Sequence, residues 1–298
     1  MSSNIIFNKS HITNTGNNTL TYKFPKGAVS FSEEDRIGIS HLNLYFSWFN
    51  VNGSQYNNNK FSYVWWDANG DLTDNRQVII PDGFYSVATL NEFLQTAMYE
   101  NGHYLETIDG QSLAYFIEFK TNSTFYSTEI RLNSLSNIVD FGAGNEPYTN
   151  IFKAPTGWIP PSIYETPQFI IPENSKFGEL LGFYPQTLYQ DLTIQPETNE
   201  IYSFLNDTTP NMMPSSSYII TCSICENDLS YPDNIIHSFT IPPNVGFGDL
   251  ITSDNEIVYS KIKQGQYQQV TLQIYDSELR PLQILDPNML ITMSVIRK

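Results

Sequence analysis

Positive charge is what this sequence has least of. Fifteen Lys and Arg stand against 31 Asp and Glu in 298 residues, a formal net charge of −16. Affinity for nucleic acid rests on Lys and Arg displacing counterions from phosphates. No basic run interrupts the acidic background, so direct nucleic acid binding is not expected. Cysteine is nearly absent as well. Cys222 and Cys225 cannot build a disulfide framework. Their CxxC spacing falls in what reads as a strand, where an offset of three sends side chains to opposite faces. Zinc and redox roles are therefore not expected, and Cys222, in line with Ile220 and Ile224, reads as a small core residue. The four histidines, His11, His41, His103 and His237, are scattered singly. No HxH or HExxH pair puts two imidazoles on one face, and each is expected to be an ordinary surface or half-buried residue.

Other absences narrow the field further. No apolar run reaches the ~18 residues that a membrane-spanning helix needs. Met1 to Ser10 lacks the apolar core of a signal peptide, so a protein made in a reducing cytosol is expected. No GxSxG elbow, P-loop or GxGxxG is present. Asp67-Ala68-Asn69-Gly70-Asp71 begins like a calcium loop, but Leu72 and Val78 stand where that motif needs Gly and Glu. A turn closed by the Asp67 side chain is the expectation there. The N-x-S/T sequons at Asn8, Asn17, Asn52, Asn122 and Asn206 are what an Asn- and Thr-rich composition yields by chance. No catalytic, cofactor-binding or metal-ligating residue is assigned, and neither an enzyme activity nor a cofactor is expected.

What is present is aromatic and alternating. Aromatics make up 14% of the chain, too many for a disordered segment and in favour of pleated surfaces. Val270, Leu272 and Ile274 alternate with Thr271, Gln273 and Tyr275, and Met289, Ile291, Met293 and Val295 with Thr292 and Ser294. Further strands are expected at 20–24, 36–49, 61–66, 77–80, 113–120, 128–132, 218–225 and 256–263. Within 36–49 the apolar phase slips between Ile39 and Leu42, which predicts a β-bulge near Ser40-His41. One helix is expected, with Val87, Leu90, Leu94, Ala97 and Met98 on one face, Ser86 as N-cap and Asn101-Gly102 as stop. A shorter helical turn is expected from Ser175 to Leu181, ending at Gly182.

So many strands and so little helix indicate an all-β protein, a single jelly-roll sandwich of eight core strands plus extra strands. Residues 1–18, polar and rich in Asn and Thr, read as an extended N-terminal arm. Residues 19–298 read as the jelly-roll domain. Ten of the chain's 17 prolines fall between Pro147 and Pro214. Proline cannot donate to a sheet ladder, so about 140–214 is expected to be a loop region or insertion.

Three motifs carry a family likeness. Ile79-Ile80-Pro81-Asp82-Gly83-Phe84-Tyr85-Ser86, followed by Leu90-Asn91-Glu92-Phe93-Leu94, resembles the strand–turn–helix segment of single jelly-roll minor capsid proteins. Gly178-Glu179-Leu180-Leu181-Gly182-Phe183 is similar to a short turn of the same proteins. The run from Val270 through Asp276, Arg280, Pro281 and Leu282 to Arg297 resembles their closing hairpin, with Glu278 and Leu279 where Asn or Gly is commoner. The family is that of the vertex (penton) proteins of virophages and polinton-like viruses. The likeness implies a virion protein, assembled in the host cytoplasm, in which five copies form a homopentamer at each fivefold vertex. It also implies contacts to a surrounding double jelly-roll major capsid protein. Exposed aromatics on the sandwich flanks would suit a ring of this kind, and Tyr45–Phe49 and Tyr63–Trp66 are the candidate stretches, with ordinary core or loop packing the favoured reading of both. The alternative is a host-attachment or carbohydrate-binding sandwich, using Trp65-Trp66-Asp67 and Trp158.

Overall fold

The computed structural model describes residues 2–134, 152–159, 166–189, 202–253 and 256–298. The chain opens with β1 (Ser2–Asn8), β2 (Thr19–Lys23), β3 (Val29–Phe31) and β4 (Arg36–Tyr45). A middle stretch follows with β5 (Lys60–Trp66), β6 (Leu72–Ile79), α1 (Val87–Glu100), β7 (Leu105–Thr107) and β8 (Leu113–Ala114). It continues through β9 (Ile117–Asn122), β10 (Ser127–Leu132), β11 (Phe152–Lys153) and β12 (Gln168–Ile171). It ends with α2 (Phe177–Leu181), β13 (Gln186–Leu188) and β14 (Tyr202–Leu205). The last part carries β15 (Tyr218–Cys222), β16 (Cys225–Glu226), β17 (Ile235–Phe239) and β18 (Leu250–Ser253). Then come β19 (Ser260–Ile262), β20 (Gly265–Tyr267), β21 (Gln269–Asp276) and β22 (Met289–Ile296).

These elements form two compact units. Unit 1 is Met1–Phe49 with Ser215–Lys298, and unit 2 is Asn50–Pro214. Unit 1 has one sheet ordered β1-β22-β4-β19-β16, with β18 also on β4, and another ordered β17-β15-β21-β2. First strand pairs with last, β1 with β22; second with second-last, β2 with β21. β4 pairs with β18 and β19, and β15 with β17. A chain folded in half in this way and then rolled into two sheets is a jelly roll. The alternation explains its core: Ile5, Phe7, Ile37, Leu42, Leu44, Ile291 and Met293 are buried from one sheet. Leu20, Ile220, Val270, Leu272 and Ile274 are buried from the other.

Local expectations hold at several points. The β4–β22 register shifts so that His41 faces Thr292 and Ile39 faces Met293, leaving Ser40 as the bulged residue. Its hydroxyl donates to the Thr292 carbonyl at 3.1 Å. Helix α1 begins at Val87 behind Ser86, whose Oγ accepts from Thr89 N–H, and stops at Asn101 with Gly102 at φ 75°. Helix α2 ends on Gly182, which takes φ 80° where a side chain would press on the Thr208 carbonyl. Gly38 has a different reason. A Cβ there would lie 2.5 Å from the carbonyl oxygen of Val258, so Ile257 and Val258 pass directly over this glycine.

Three expectations are revised. The segment expected as an arm contains β1, an edge strand paired with β22 over seven positions; Ile5 and Phe7 point into the core and hold it there. The insertion expected at about 140–214 begins at Asn50, and 61–66, 77–80, 113–120, 128–132 and the main helix belong to unit 2. Parts of the Pro-rich stretch, 135–151, 160–165 and 190–201, lie outside the described residues. The closing strands β21 and β22 form no hairpin, because they lie in different sheets. The turn after Asp276 instead folds back on Tyr275 through a bridge to Pro281 before the chain crosses over.

Unit 2 has its own core. Its sheets are ordered β13-β12-β5-β6, β14-β10-β9 and β11-β7-β8. Val87, Leu90, Leu94 and Met98 of α1 join Phe61, Tyr63, Trp65, Trp66, Phe116, Phe119 and Phe169 in one buried cluster. Asn91 on the helix accepts the N–H of Phe119 in β9 at 2.8 Å, which fixes the helix against that strand.

Candidate interaction surfaces

The aromatic stretches named as surface candidates are mostly interior, the core packing that is the favoured reading of them. In unit 2, Tyr63, Trp65 and Trp66 are buried in the core, and the Trp158 indole N–H donates to the Gly102 carbonyl at 2.7 Å from a 7% exposed side chain. Both faces of β5 are covered, so its consecutive aromatics pack on two sides. A sugar-stacking role for Trp65, Trp66 and Trp158 is thereby removed, since their ring faces meet Phe116, His103 and one another. In unit 1, Phe46 and Trp48 are buried, while Tyr45 and Phe49 are half-buried.

Asp67 behaves as a turn residue. One carboxylate oxygen accepts the N–H groups of Asn69 and Asp71, and the other accepts the Thr73 hydroxyl. These donors hold its carboxyl below the usual carboxylate range, the Asn69 N–H most of all. Cys222 and Cys225 are both buried free thiols. They do not share one strand as the spacing suggested: a turn at Ser223-Ile224 separates β15 from β16, and the two strands lie in different sheets. Burial pushes the Cys222 thiol up to about 12, an inert core position.

His103 is the histidine the structure changes most. It is buried in unit 2, stacked on Trp65 with ring centroids 4.8 Å apart, and its Nδ1 lies 2.9 Å from the Tyr63 hydroxyl. The other nitrogen faces Asp74 at 3.6 Å, and Arg76 pairs with the same carboxylate. Burial lowers its pKa from 6.5 to about 4, more than Asp74 raises it, with Arg76 lowering it further. Folding therefore favours the neutral ring. The stabilisation is complete above pH 6.5, and it is lost as pH falls from there towards 4, because only the unfolded chain takes up the proton in that window. Unit 2 is expected to lose about 3 kcal/mol between those limits from this group. His103→Asn should flatten that part of a stability-against-pH profile measured by urea unfolding. An unchanged slope would assign the acid sensitivity to other groups.

The large apolar side chains that are exposed were not singled out by any sequence signal. In unit 1, Leu229 and Tyr231 are 99% and 94% exposed on the β16–β17 loop. In unit 2, Phe125 and Tyr126 stand exposed at the tip of the β9–β10 hairpin, Tyr126 with φ 49°. Asn-Asp-Leu-Ser-Tyr-Pro-Asp at 227–233 reads as turn chemistry, and only the folded loop shows that its two apolar side chains have no interior to enter. Among the described residues, no cluster of His, Cys, Asp and Glu could hold a metal ion, and no helix is long and apolar enough to cross a membrane.

No protein-family description matches the sequence, and no curated protein matches it. Among solved structures, the selenomethionine-labelled mavirus penton protein aligns over 99% of this chain and 97% of its own, at 13% identity and a TM-score of 0.46. A chain of the Sputnik virophage structure aligns over 99% of this chain and 96% of its own, at 11% identity and a TM-score of 0.40.

Proposed function

We propose that this protein is a structural subunit of an icosahedral viral capsid, a vertex protein of which five copies close a ring. The observation that carries this reading is the roll of unit 1, whose two sheets leave unlike flanks at β1 and β2 on one side and at β16 and β17 on the other. Flank-to-flank packing of such a body is a heterologous contact, the type that closes rings. The order of the three motifs supports the same reading, and two of them have structural jobs. Asp82-Gly83 and Ser86 turn the chain into α1, and Asp276 accepts two backbone N–H groups across the last turn. The net charge of −16 argues for contacts with other proteins and against contacts with the genome.

The surrounding partner in this reading is a double jelly-roll major capsid protein, and the place of action is the virion. No catalytic role is part of it. Native mass spectrometry over a range of concentrations, with the 34.1 kDa subunit as ruler, tests it directly. A species of five subunits is the expected result; a stable trimer would replace the vertex reading with that of an attachment protein.

A further inference from the structure

The second sheet of unit 1 ends in two edges of opposite character. β17 lies at one edge and β2 at the other, with β15 and β21 between them, so the edges are about 14 Å apart. The register shows which features share an end of the sheet. Lys23 pairs with Gln269, and the Phe24 N–H donates to the Gln268 carbonyl. Cys222 pairs with Leu272 and its N–H donates to the Asn234 carbonyl. Loop 227–233 and segment 24–26 therefore lie at the same end, on opposite edges.

The loop is a fixed scaffold for two free side chains. The Asn227 N–H donates to the Asp233 carbonyl at 2.6 Å, and the Ser230 N–H to the Asn227 carbonyl at 3.1 Å. Lys261 pairs with Asp228 at 2.7 Å and Lys263 with Asp233 at 2.9 Å, clamping the loop to the neighbouring sheet segment. Glu226 adds a third acid against these two lysines. On this braced backbone Leu229 and Tyr231 project into solvent. A backbone that is already braced leaves only the side chains to be ordered when the pair binds, and Tyr is among the residues that dominate interface energies.

The opposite edge offers a complementary surface. Tyr22, Phe24, Phe31 and Tyr267 form a chain of rings with centroids 5.9, 6.2 and 6.1 Å apart, of which Tyr22, Phe24 and Tyr267 are half-buried. Lys23 and Lys26 stand exposed beside Phe24, and Arg297 lies over the Phe31 ring at 5.0 Å. These are three of only 15 basic residues in an acidic chain. An apolar knob whose acids Glu226, Asp228 and Asp233 outnumber the paired Lys261 and Lys263 by one, and an aromatic strip flanked by Lys23 and Lys26, thus sit at matching heights on opposite flanks of one body. That is the complementarity a heterologous contact between copies requires.

We propose that Leu229 and Tyr231 of one copy dock on the Tyr22–Phe24–Tyr267 strip of the next. The inference rests on the ring reading above, and names the contact that closes it. Two measurements test it. In a chain carrying both Tyr231→Cys and Phe24→Cys, a short bis-maleimide should yield a ladder of cross-linked species up to the closed ring, the native cysteines being buried. Each single variant alone should stay uncoupled. Leu229→Ser with Tyr231→Ser should weaken association at least about 100-fold while the stability of the dissociated subunit, read at low concentration, is unchanged, since both side chains are almost fully exposed. A wild-type ring of five whose double-cysteine variant gives no cross-link, or that the double serine variant leaves intact, overturns the knob-and-strip contact and leaves the ring standing. A wild-type chain that is monomeric at every concentration, with a double-cysteine variant that gives no cross-link, overturns both.

Discussion

Asp276→Ala should unfold unit 1 at a much lower urea concentration than the parent chain, with a loss of about 3 kcal/mol and an unchanged denaturant slope. The side chain is fully buried at the end of β21. One carboxylate oxygen accepts the N–H groups of Glu278 and Arg280, both at 2.9 Å, and the other accepts Nε of Arg280 at 2.7 Å. Alanine leaves two backbone donors without their acceptor and releases Arg280 from the contact that folds the turn back. The turn also holds Leu279 at φ 60°, a left-handed backbone that a leucine adopts only when its surroundings impose it. Asp276→Asn separates the contributions. Its amide oxygen can still accept both backbone N–H groups, so the loss should be about half as large. Equal losses for Ala and Asn would instead assign the whole effect to the arginine pair.

Asn50→Ala should act on unit 2 with similar force. Its amide donates to the carbonyls of Tyr85 at 2.7 Å and Met212 at 2.8 Å, and its carbonyl accepts the Tyr85 N–H at 2.8 Å. The side chain therefore ties the first residue of the unit to a residue near its last. Asn58 supports it from below, donating to the Asn50 backbone carbonyl at 2.8 Å and accepting the Asn52 N–H at 2.9 Å. Removing three buried hydrogen bonds at once should cost about 3 kcal/mol and loosen both ends of the insertion. Hydrogen exchange read by mass spectrometry should show faster exchange in 50–59 and 210–214 in the Asn50→Ala chain. Unaltered protection of those segments would mean that they are held by other contacts. Asn50, Asn52, Asn58 and Asn59 are all buried and hydrogen-bonded, so this cluster of asparagines has a structural role.

What could be read directly from the residues was whatever depends on near neighbours in the chain. Ser86, Asn101 and Gly102 bound α1 because capping is settled within four residues. The slip at Ser40 was legible because a single extra residue reverses which side chains face inward. Gly182 ended α2 for the same local reason. Alternation in 270–275 and 289–295 marked both closing strands and their inner faces, and the balance of strand over helix placed the chain among all-β folds.

Decisions between distant segments belonged to the tertiary structure. Two-residue periodicity says that a strand has an inside, but not which core that inside joins. Thus 61–66 and 128–132 read as sandwich strands, although they build a second core in unit 2. The apolar pair Ile5 and Phe7 in a polar stretch was too short a pattern to announce an edge strand; only β22, far away in sequence, supplies the partner that makes it one. The same holds for Trp65 and Trp66, where adjacent aromatics carry no alternation and burial on both sides follows from what covers β5. Leu229 and Tyr231 show the converse, two apolar residues left outside because the loop that carries them is braced at both ends. Caps, bulges and alternation are local energies that a short segment settles alone, whereas partner strand, shared core and exposed knob are set by chain closure over long separations, which only the folded whole decides.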